Sequence, residues 1–442
     1  MTLPAMAAAD PGTGPRLVRA IGRWSLTAAI VNGVIGSAIF GMPAEQAALT
    51  GAWSPLASLF AALGILSVLL CFAEVGSRFT EAGGVYLYAR EAFGSAVGFQ
   101  AGWLMFWVRV LSMGANLNVF VNYLAQLAPP AGLGLGRAAV MTAMVLIITA
   151  INVRGVKQGT WAVNVFTLAK LLPLVFLVVL GLPRVSGEVL GTQAVAEPHW
   201  TQAVLLLVFA YGGFESVLIP AGEARDPRRD TAFALLVGLA VIATVYMLVQ
   251  LVVIGVVPYV GARGPGGEVL HRAPVASAFR TLLGGSGAVL ASLAAMISTW
   301  GWTVGATLQT PRLLFSMAGR SELPAAFARI HPRFRTPDRS IVTYAAASLA
   351  VGLYGSFAWN ATISAIVRLV IFASTCAALL VLRRRPGAPP AGFRLAGAAV
   401  IAPAGLLFCV WLLSTRTFAQ AWILVAVILV GFGLWASTRR AG

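Results

Sequence analysis

Residues 30–43 read IVNGVIGSAIFGMP and lie inside the first long apolar segment of the chain. A plain membrane helix would be apolar throughout, whereas this stretch contains three glycines, a proline and the polar residues Asn32 and Ser37. In lipid a helix is broken only where the freed backbone groups line a cavity or bind something. Two interpretations are therefore open: a broken helix at a binding site, or a continuous helix whose small residues allow close packing.

The composition indicates a membrane protein. Of the 442 residues, 59% are hydrophobic and only 10% are charged, with a mean hydropathy of +0.86. Soluble domains carry about 25% charged residues, so a core this large and this uncharged requires lipid as its solvent. We expect an all-α integral membrane protein.

Twelve apolar segments approach the roughly 20 residues that a membrane-spanning helix needs. These predicted spans cover residues 24–43, 53–75, 97–126, 138–153, 160–182, 201–220, 232–258, 282–310, 341–357, 360–382, 396–414 and 417–437.

The distribution of basic residues predicts the orientation. With the N-terminus inside, only six of the 31 lysines and arginines fall in outer loops, three fall within spans, and the remaining twenty-two fall inside. Cytoplasmic loops are the positively charged ones, so we expect both termini in the cytoplasm, residues 1–22 as an N-terminal tail, and a cell inner (plasma) membrane location. The net charge of +17 then reflects topology and attraction to anionic lipid. Nucleic-acid binding is not expected, because the arginines are spread through short loops.

Motifs of enzymatic chemistry are absent from the sequence. It contains no H-E-x-x-H, Walker A or G-x-S-x-G motif, and all four aspartates lie outside the predicted spans. The three cysteines lack metal-binding spacing. We therefore expect no enzyme activity, no cofactor and no metal site.

A second interrupted segment matches the first. Residues 207–220 read LVFAYGGFESVLIP, with Gly212 and Gly213 in mid-span. The interrupted segments are spans one and six, so they take the same place in two five-span halves. This arrangement indicates an inverted repeat with the binding site between the halves. We expect one repeat over residues 23–182, a second over residues 200–383, and two further helices over residues 395–438.

The chemistry of the two breaks indicates a zwitterionic ligand. A half-helix that begins near Ser37 presents free N–H groups and the positive end of its dipole, which favour a carboxylate. Carbonyl groups freed at residues 31–32 and 209–211 favour an ammonium group. An α-amino acid carries both.

Four separated motifs resemble those of the amino acid–polyamine–organocation (APC) superfamily of secondary transporters. They are GSAIF at 36–40, EAGGVYLYAREAFG at 81–94, FAYGGFE at 209–215 with GEARDPRR at 222–229, and RLLFSMAGRSELP at 312–324 with RTP at 335–337. Ala38 stands where the family signature has a second glycine. The resemblance implies a LeuT-like core of two inverted five-helix repeats with discontinuous helices 1 and 6, two extra C-terminal helices, and alternating access around a midplane site.

Carried over residue by residue, the resemblance implies a substrate site built from spans one and six. Tyr211, Phe214 and Trp300 are candidates for its side-chain wall, although Trp300 and Trp302 are equally well interpreted as packed aromatic residues. The full predicted set is Ile35, Gly36, Ser37, Ala38, Ile39, Phe209, Ala210, Tyr211, Gly212, Phe214 and Trp300.

Three basic residues, Arg109, Lys170 and Arg368, fall inside predicted spans, where charged side chains are costly and usually paired or functional. Arg109 either faces the site and favours an anionic substrate side chain or, in the preferred interpretation, pairs with Glu74 or Glu215. Arg368 is expected to hold span ten in place. Glu215 is expected to be a gating or coupling carboxylate in span six. Both arginines disfavour a polycationic substrate.

Lys170 lies in LAKLLPL at 168–174, and LAKLL is similar to span five of proton-coupled members of the superfamily. The resemblance implies that its ammonium donates to carbonyls near residues 31–33 and to Ser298 or Thr299. It also implies that loss and gain of the lysine proton couple protons to transport. The alternatives are a lysine that extends to the surface and a fixed structural tether.

The sequence therefore predicts a secondary active transporter that moves amino acids by alternating access, with proton coupling. The alternative within the superfamily is an exchanger of polyamines, amines or amino acids. From a different class, a nutrient sensor would bind substrate without flux, and a channel would carry a current too large for alternating access.

Overall fold

The fold comes from a computed structural model that describes residues 22–79, 84–155, 160–217 and 227–440. Within these ranges the chain is helical, apart from loops and an isolated antiparallel bridge between Arg263 and Val269. The α-helices are α1 (Arg23–Val34), α2 (Ala38–Thr50), α3 (Ser54–Ser77), α4 (Gly84–Phe93), α5 (Ser95–Leu124), α6 (Gly134–Arg154), α7 (Thr160–Gly181), α8 (Gly187–Gly191), α9 (Trp200–Tyr211), α10 (Phe214–Val217), α11 (Pro227–Val256), α12 (Pro274–Gly319), α13 (Asp338–Tyr354), α14 (Phe357–Arg384), α15 (Ala398–Ser414) and α16 (Phe418–Arg440). The predicted all-α architecture is confirmed.

Each predicted span overlaps at least one of these helices, and spans one and six each overlap two. By length and composition, seven helical stretches in the described ranges can cross a membrane, and α9 and α15 are shorter apolar helices. Large apolar side chains are exposed along the outer surfaces of α3, α6, α7, α12 and α16, as lipid-facing positions require. The protein is a multi-pass membrane protein. The predicted tail up to residue 21 and the motif residues 81–83 and 222–226 lie outside the described residues.

Both interrupted segments are broken helices. Residues 35–37 separate α1 from α2, and the backbone of Ile35 is extended. Gly212 is likewise extended, and Gly213, with φ of 121°, separates α9 from α10. The interpretation of residues 30–43 as one continuous helix is therefore wrong.

The two breaks lie side by side because α1 packs against α10 and α2 packs against α9. A Cβ atom added at Gly213 would come within 2.6 Å of the Gly33 carbonyl oxygen. Around this centre, α5 packs against α12, α13 and α14, and α3 packs against α9, α11 and α15. The packing thus brings non-helical backbone from two distant parts of the sequence to one place.

Helix α12 begins earlier than the predicted span at residue 282. It consists of two arms that meet at Gly284, whose φ of 71° and ψ of −156° are not helical. The first arm is a short helix that the apolar pattern alone did not separate from the preceding loop.

Candidate substrate site

A cavity lies where the two helix breaks meet. It contains about 370 Å³ of unfilled space, including the part open to solvent. The residues that line it are Gly33, Val34, Gly36, Ser37 and Ala38 of the first break, Phe209, Gly212 and Gly213 of the second, and Arg109, Ser112, Trp302 and Arg368 from α5, α12 and α14. Backbone from both breaks and two guanidinium groups therefore share one space.

Five of the predicted substrate-site residues line this cavity: Gly36, Ser37, Ala38, Phe209 and Gly212. Ser37 is the N-cap of α2, and its side chain makes no capping hydrogen bond. The first N–H groups of α2 are thus available to a ligand, at the positive end of the helix dipole.

The other predicted residues of the two breaks face elsewhere. Ile39 and Ala210 line a neighbouring cavity together with Gln46, Tyr246 and Gln250. Ile35 is fully buried and contributes its carbonyl oxygen to a contact described below.

The three predicted wall side chains are also absent from the lining. The Tyr211 hydroxyl donates to the Ser58 carbonyl oxygen at 2.9 Å. Phe214 packs between Phe72 and Phe372, and Trp300 packs against Phe120.

Trp302 forms the aromatic wall in place of Trp300. Its Cδ1 atom lies 3.4 Å from the position that a Cβ of Gly36 would take, so the first break passes close to the indole ring. The choice between two tryptophans two residues apart depends on the rotation of α12, which the apolar pattern does not specify.

Ser112 also lines the cavity, although it is not among the predicted site residues. A signal for it exists: Arg109, Ser112 and Asn116 recur at i, i+3 and i+7, a spacing that gives α5 one polar face. The Asn116 side chain donates to the Thr299 carbonyl oxygen at 2.8 Å and to the Thr303 hydroxyl at 2.6 Å. The polar face of α5 thus runs from the cavity to α12.

Lys170 binds the first break. Its Nζ atom donates to the carbonyl oxygens of Asn32 and Ile35, each at 2.6 Å. These oxygens belong to the last turn of α1 and the residue after it, where helix carbonyls lack partners and the dipole favours a cation. The side chain is only 6% exposed, so the interpretation of a lysine extending to the surface is wrong.

The expected contact between Lys170 and α12 is not formed. The Thr299 hydroxyl donates to carbonyl oxygens of its own helix. The Ser298 hydroxyl is buried without a hydrogen-bond partner among the described residues. The lysine therefore links α7 to the first break alone.

Glu215 links the second break to α14. One carboxylate oxygen accepts from Arg368 Nη1 at 2.5 Å, and the other accepts from the Gly213 N–H at 2.8 Å. Both side chains are buried, with 5% of Arg368 and 1% of Glu215 exposed. Arg368 therefore holds α14, which corresponds to predicted span ten, against the break.

Arg109 faces the cavity, and its preferred pairing with Glu74 or Glu215 is wrong. Glu74 binds Arg78 and Arg383, while Glu215 binds Arg368. Among the described residues Arg109 forms no ion pair, and its side chain lines the cavity.

A broken-helix site of this kind, in an all-helical membrane protein, is the architecture of a membrane transporter. The family model described as Amino acid permease matches residues 21–437. The chain belongs to that family, which confirms the predicted resemblance.

Individual relatives are more distant. The chain is 27% identical over 366 residues to the serine/threonine exchanger SteT of Bacillus subtilis, covering 80% of this chain and 81% of that protein. It is 28% identical over 420 residues to the methylthioribose transporter of Bacillus subtilis, covering 89% and 88%. It is also 26% identical over 412 residues to the large neutral amino acids transporter small subunit 2 of Mus musculus, covering 88% and 75%.

Proposed function

We propose that the protein is a secondary active transporter that moves amino acids across the cytoplasmic membrane by alternating access around the cavity between the two breaks. The observation that carries this proposal is the uncapped start of α2 in the cavity wall, because it offers a site for a carboxylate. The names of two of the three relatives given above support an amino acid over another solute.

The proposal includes the two inverted repeats predicted over residues 23–182 and 200–383. The matching positions of the breaks support it, because paired discontinuous helices mark the substrate site of such transporters. In this scheme the repeats rock against one another, and the cavity opens to each side of the membrane in turn.

We further propose that Lys170 couples protons to this cycle. Its charged form holds the end of α1 through two charge-assisted hydrogen bonds, which are stronger than bonds from a neutral amine. Loss of the proton weakens this hold and frees the first break to move. The remaining alternative is a tether that never loses its proton.

The experiment is uptake of a labelled amino acid mixture into proteoliposomes, with and without an inward proton gradient. We expect the gradient to stimulate uptake by wild type and not by Lys170→Gln. Lys170→Arg separates coupling from tethering, because arginine keeps the charge but does not deprotonate. Gradient-driven uptake by either variant contradicts coupling through Lys170. A cooperative melting transition in detergent shows that each variant is folded.

Amino acid exchange is the second candidate, and the name of the exchanger SteT favours it. The same vesicles test it when they are preloaded with unlabelled amino acid. Uptake only into preloaded vesicles, with no response to the gradient, supports exchange. If the protein exchanges amines and amino acids do not compete for this exchange, the carboxylate site at α2 is contradicted.

A further inference from the structure

The charges around the cavity are unbalanced. Two guanidinium groups line it, those of Arg109 and Arg368, and the adjacent carboxylate of Glu215 neutralises only Arg368. Lys170 adds positive charge nearby through its bonds to the first break. Among the described residues, the surroundings of the cavity therefore have at least one more positive than negative side chain.

Three other buried carboxylates contact partners other than Arg109, although one oxygen of Glu322 has no hydrogen-bond partner among the described residues. Glu74 binds two arginines of its own end of the protein, Glu45 lies within 3.5 Å of Arg263, and Glu322 accepts from the Tyr86 hydroxyl at 2.7 Å. None of these contacts involves Arg109. Because a cation inside a membrane protein is costly without a counter-charge, Arg109 is best satisfied by an anion that enters the cavity.

The guanidinium groups have donors to spare. The Nε atom of Arg368 is buried and has no hydrogen-bond partner among the described residues. Arg109 presents a planar fork of donors that matches a carboxylate in two-point geometry. The cavity thus contains a cationic subsite in addition to the start of α2.

We propose that the substrate is an amino acid with an acidic side chain. Its α-carboxylate binds the start of α2 at Ser37, and its side-chain carboxylate binds Arg109. This inference rests on the proposed transport function and specifies its substrate class. An acidic amino acid carries one net negative charge and neutralises the excess, whereas a neutral amino acid leaves Arg109 unpaired.

The test compares each acidic amino acid with its amide: glutamate with glutamine, and aspartate with asparagine. The members of a pair have nearly the same size and shape, so they differ mainly in charge. The measurement is competition against labelled glutamate and labelled glutamine in proteoliposomes, together with ligand-induced melting shifts of the purified protein. We expect wild type to prefer at least one acid over its amide by about tenfold or more, as a hydrogen bond to a charged group predicts.

Arg109→Gln should remove this preference, and Arg109→Lys should keep part of it. The control is Arg280→Gln, because Arg280 is exposed, lies in the first arm of α12 and donates to Gln126 at 3.2 Å. This variant should keep the wild-type preference. If Arg109→Gln fails to fold, the comparison of Arg109→Lys with wild type takes its place.

Equal use of acids and amides by wild type overturns the proposal, and so does a preference that survives in Arg109→Gln. Transport of neutral amino acids without either acid also overturns it but leaves the proposed transport function intact. If no amino acid is bound or moved, the transport function itself fails.

Discussion

Gly212 and Gly213 show that the second break has room only for residues without a side chain. A Cβ at Gly212 would overlap the guanidinium of Arg368, and a Cβ at Gly213 would meet the carbonyl of Gly33. Gly213 also has a positive φ that side-chain-bearing residues rarely adopt. The two glycines are needed for different reasons: one leaves room for a side chain, the other for a neighbouring backbone.

We predict that Gly212→Ala displaces Arg368 from Glu215. Overfilling a packed site costs about 1–3 kcal/mol, and the displaced pair leaves a buried carboxylate without its partner. The variant should melt at a lower temperature than wild type and lose most uptake. Both effects are measured on purified protein, in detergent and in proteoliposomes.

Gly305→Ala is the matched control for this prediction. Gly305 lies within α12, and a Cβ there would meet no atom within 4 Å. Its melting temperature should match or exceed that of wild type, because alanine is the better helix former. Equal melting of Gly212→Ala and Gly305→Ala would refute the proposed overlap with Arg368.

Among the individual helices, α12 shows how one backbone position sets the direction of a long element. The dihedral angles of Gly284 fall in a region open almost only to glycine. The arm before it carries Val275, whose N–H donates to the Tyr123 hydroxyl at 3.3 Å, and that hydroxyl donates to the Phe40 carbonyl oxygen at 2.8 Å. The bend thus brings the first arm to α2 and α5.

We predict that Gly284→Ala destabilises the protein by about 1–3 kcal/mol, the cost of holding a strained backbone conformation. No steric overlap contributes, since a Cβ at Gly284 would meet no atom within 4 Å. The measurement is the melting temperature in detergent, which should fall relative to wild type.

Gly285→Ala separates strain from a general effect of substitution. A Cβ at this adjacent residue also meets no atom within 4 Å, and its φ is not positive. It should be neutral or stabilising by up to about 1 kcal/mol. A loss of stability in Gly285→Ala as large as that in Gly284→Ala would show that the bend does not depend on this conformation.

For the protein as a whole, two ionic contacts connect loops to α2 and to the last turns of α3. Glu74, near the end of α3, binds Arg383 and the Leu395 N–H, and so holds the segment between α14 and α15. Glu45 lies in α2, which ends at Thr50, and pairs with Arg263 in the loop after α11. Because α3 follows α2 closely and is long enough to cross the membrane, we expect the two loops to lie on opposite sides of it.

We predict that the loop after α11 is outside and the segment after α14 is inside, as the arginine distribution requires. Pro265→Cys and Pro386→Cys provide matched exposed loop positions. The three native cysteines are buried, so the wild-type protein should show little maleimide labelling. A membrane-impermeant maleimide should label Pro265→Cys in intact cells and Pro386→Cys only after permeabilisation. The reverse pattern would contradict the orientation.

The sequence by itself determined the helical membrane class, the positions of both breaks and the family. These properties follow from local composition: apolar length predicts helices, glycines mark breaks, and short motifs carry the resemblance. A polar face on α5 was also readable from the spacing of Arg109, Ser112 and Asn116.

Only the packing decided which side chains enter the cavity. The apolar residues of α1 do not concentrate on one face, and α9 is apolar on nearly every side, so neither helix carries a periodic signal of the face that meets a partner. Trp302 lines the cavity and Trp300 does not. The Tyr211 hydroxyl donates to the Ser58 carbonyl oxygen. Arg368 pairs with Glu215, whereas Arg109 has no ion-pair partner among the described residues. Each outcome depends on the rotation of a helix against neighbours that are distant in the chain.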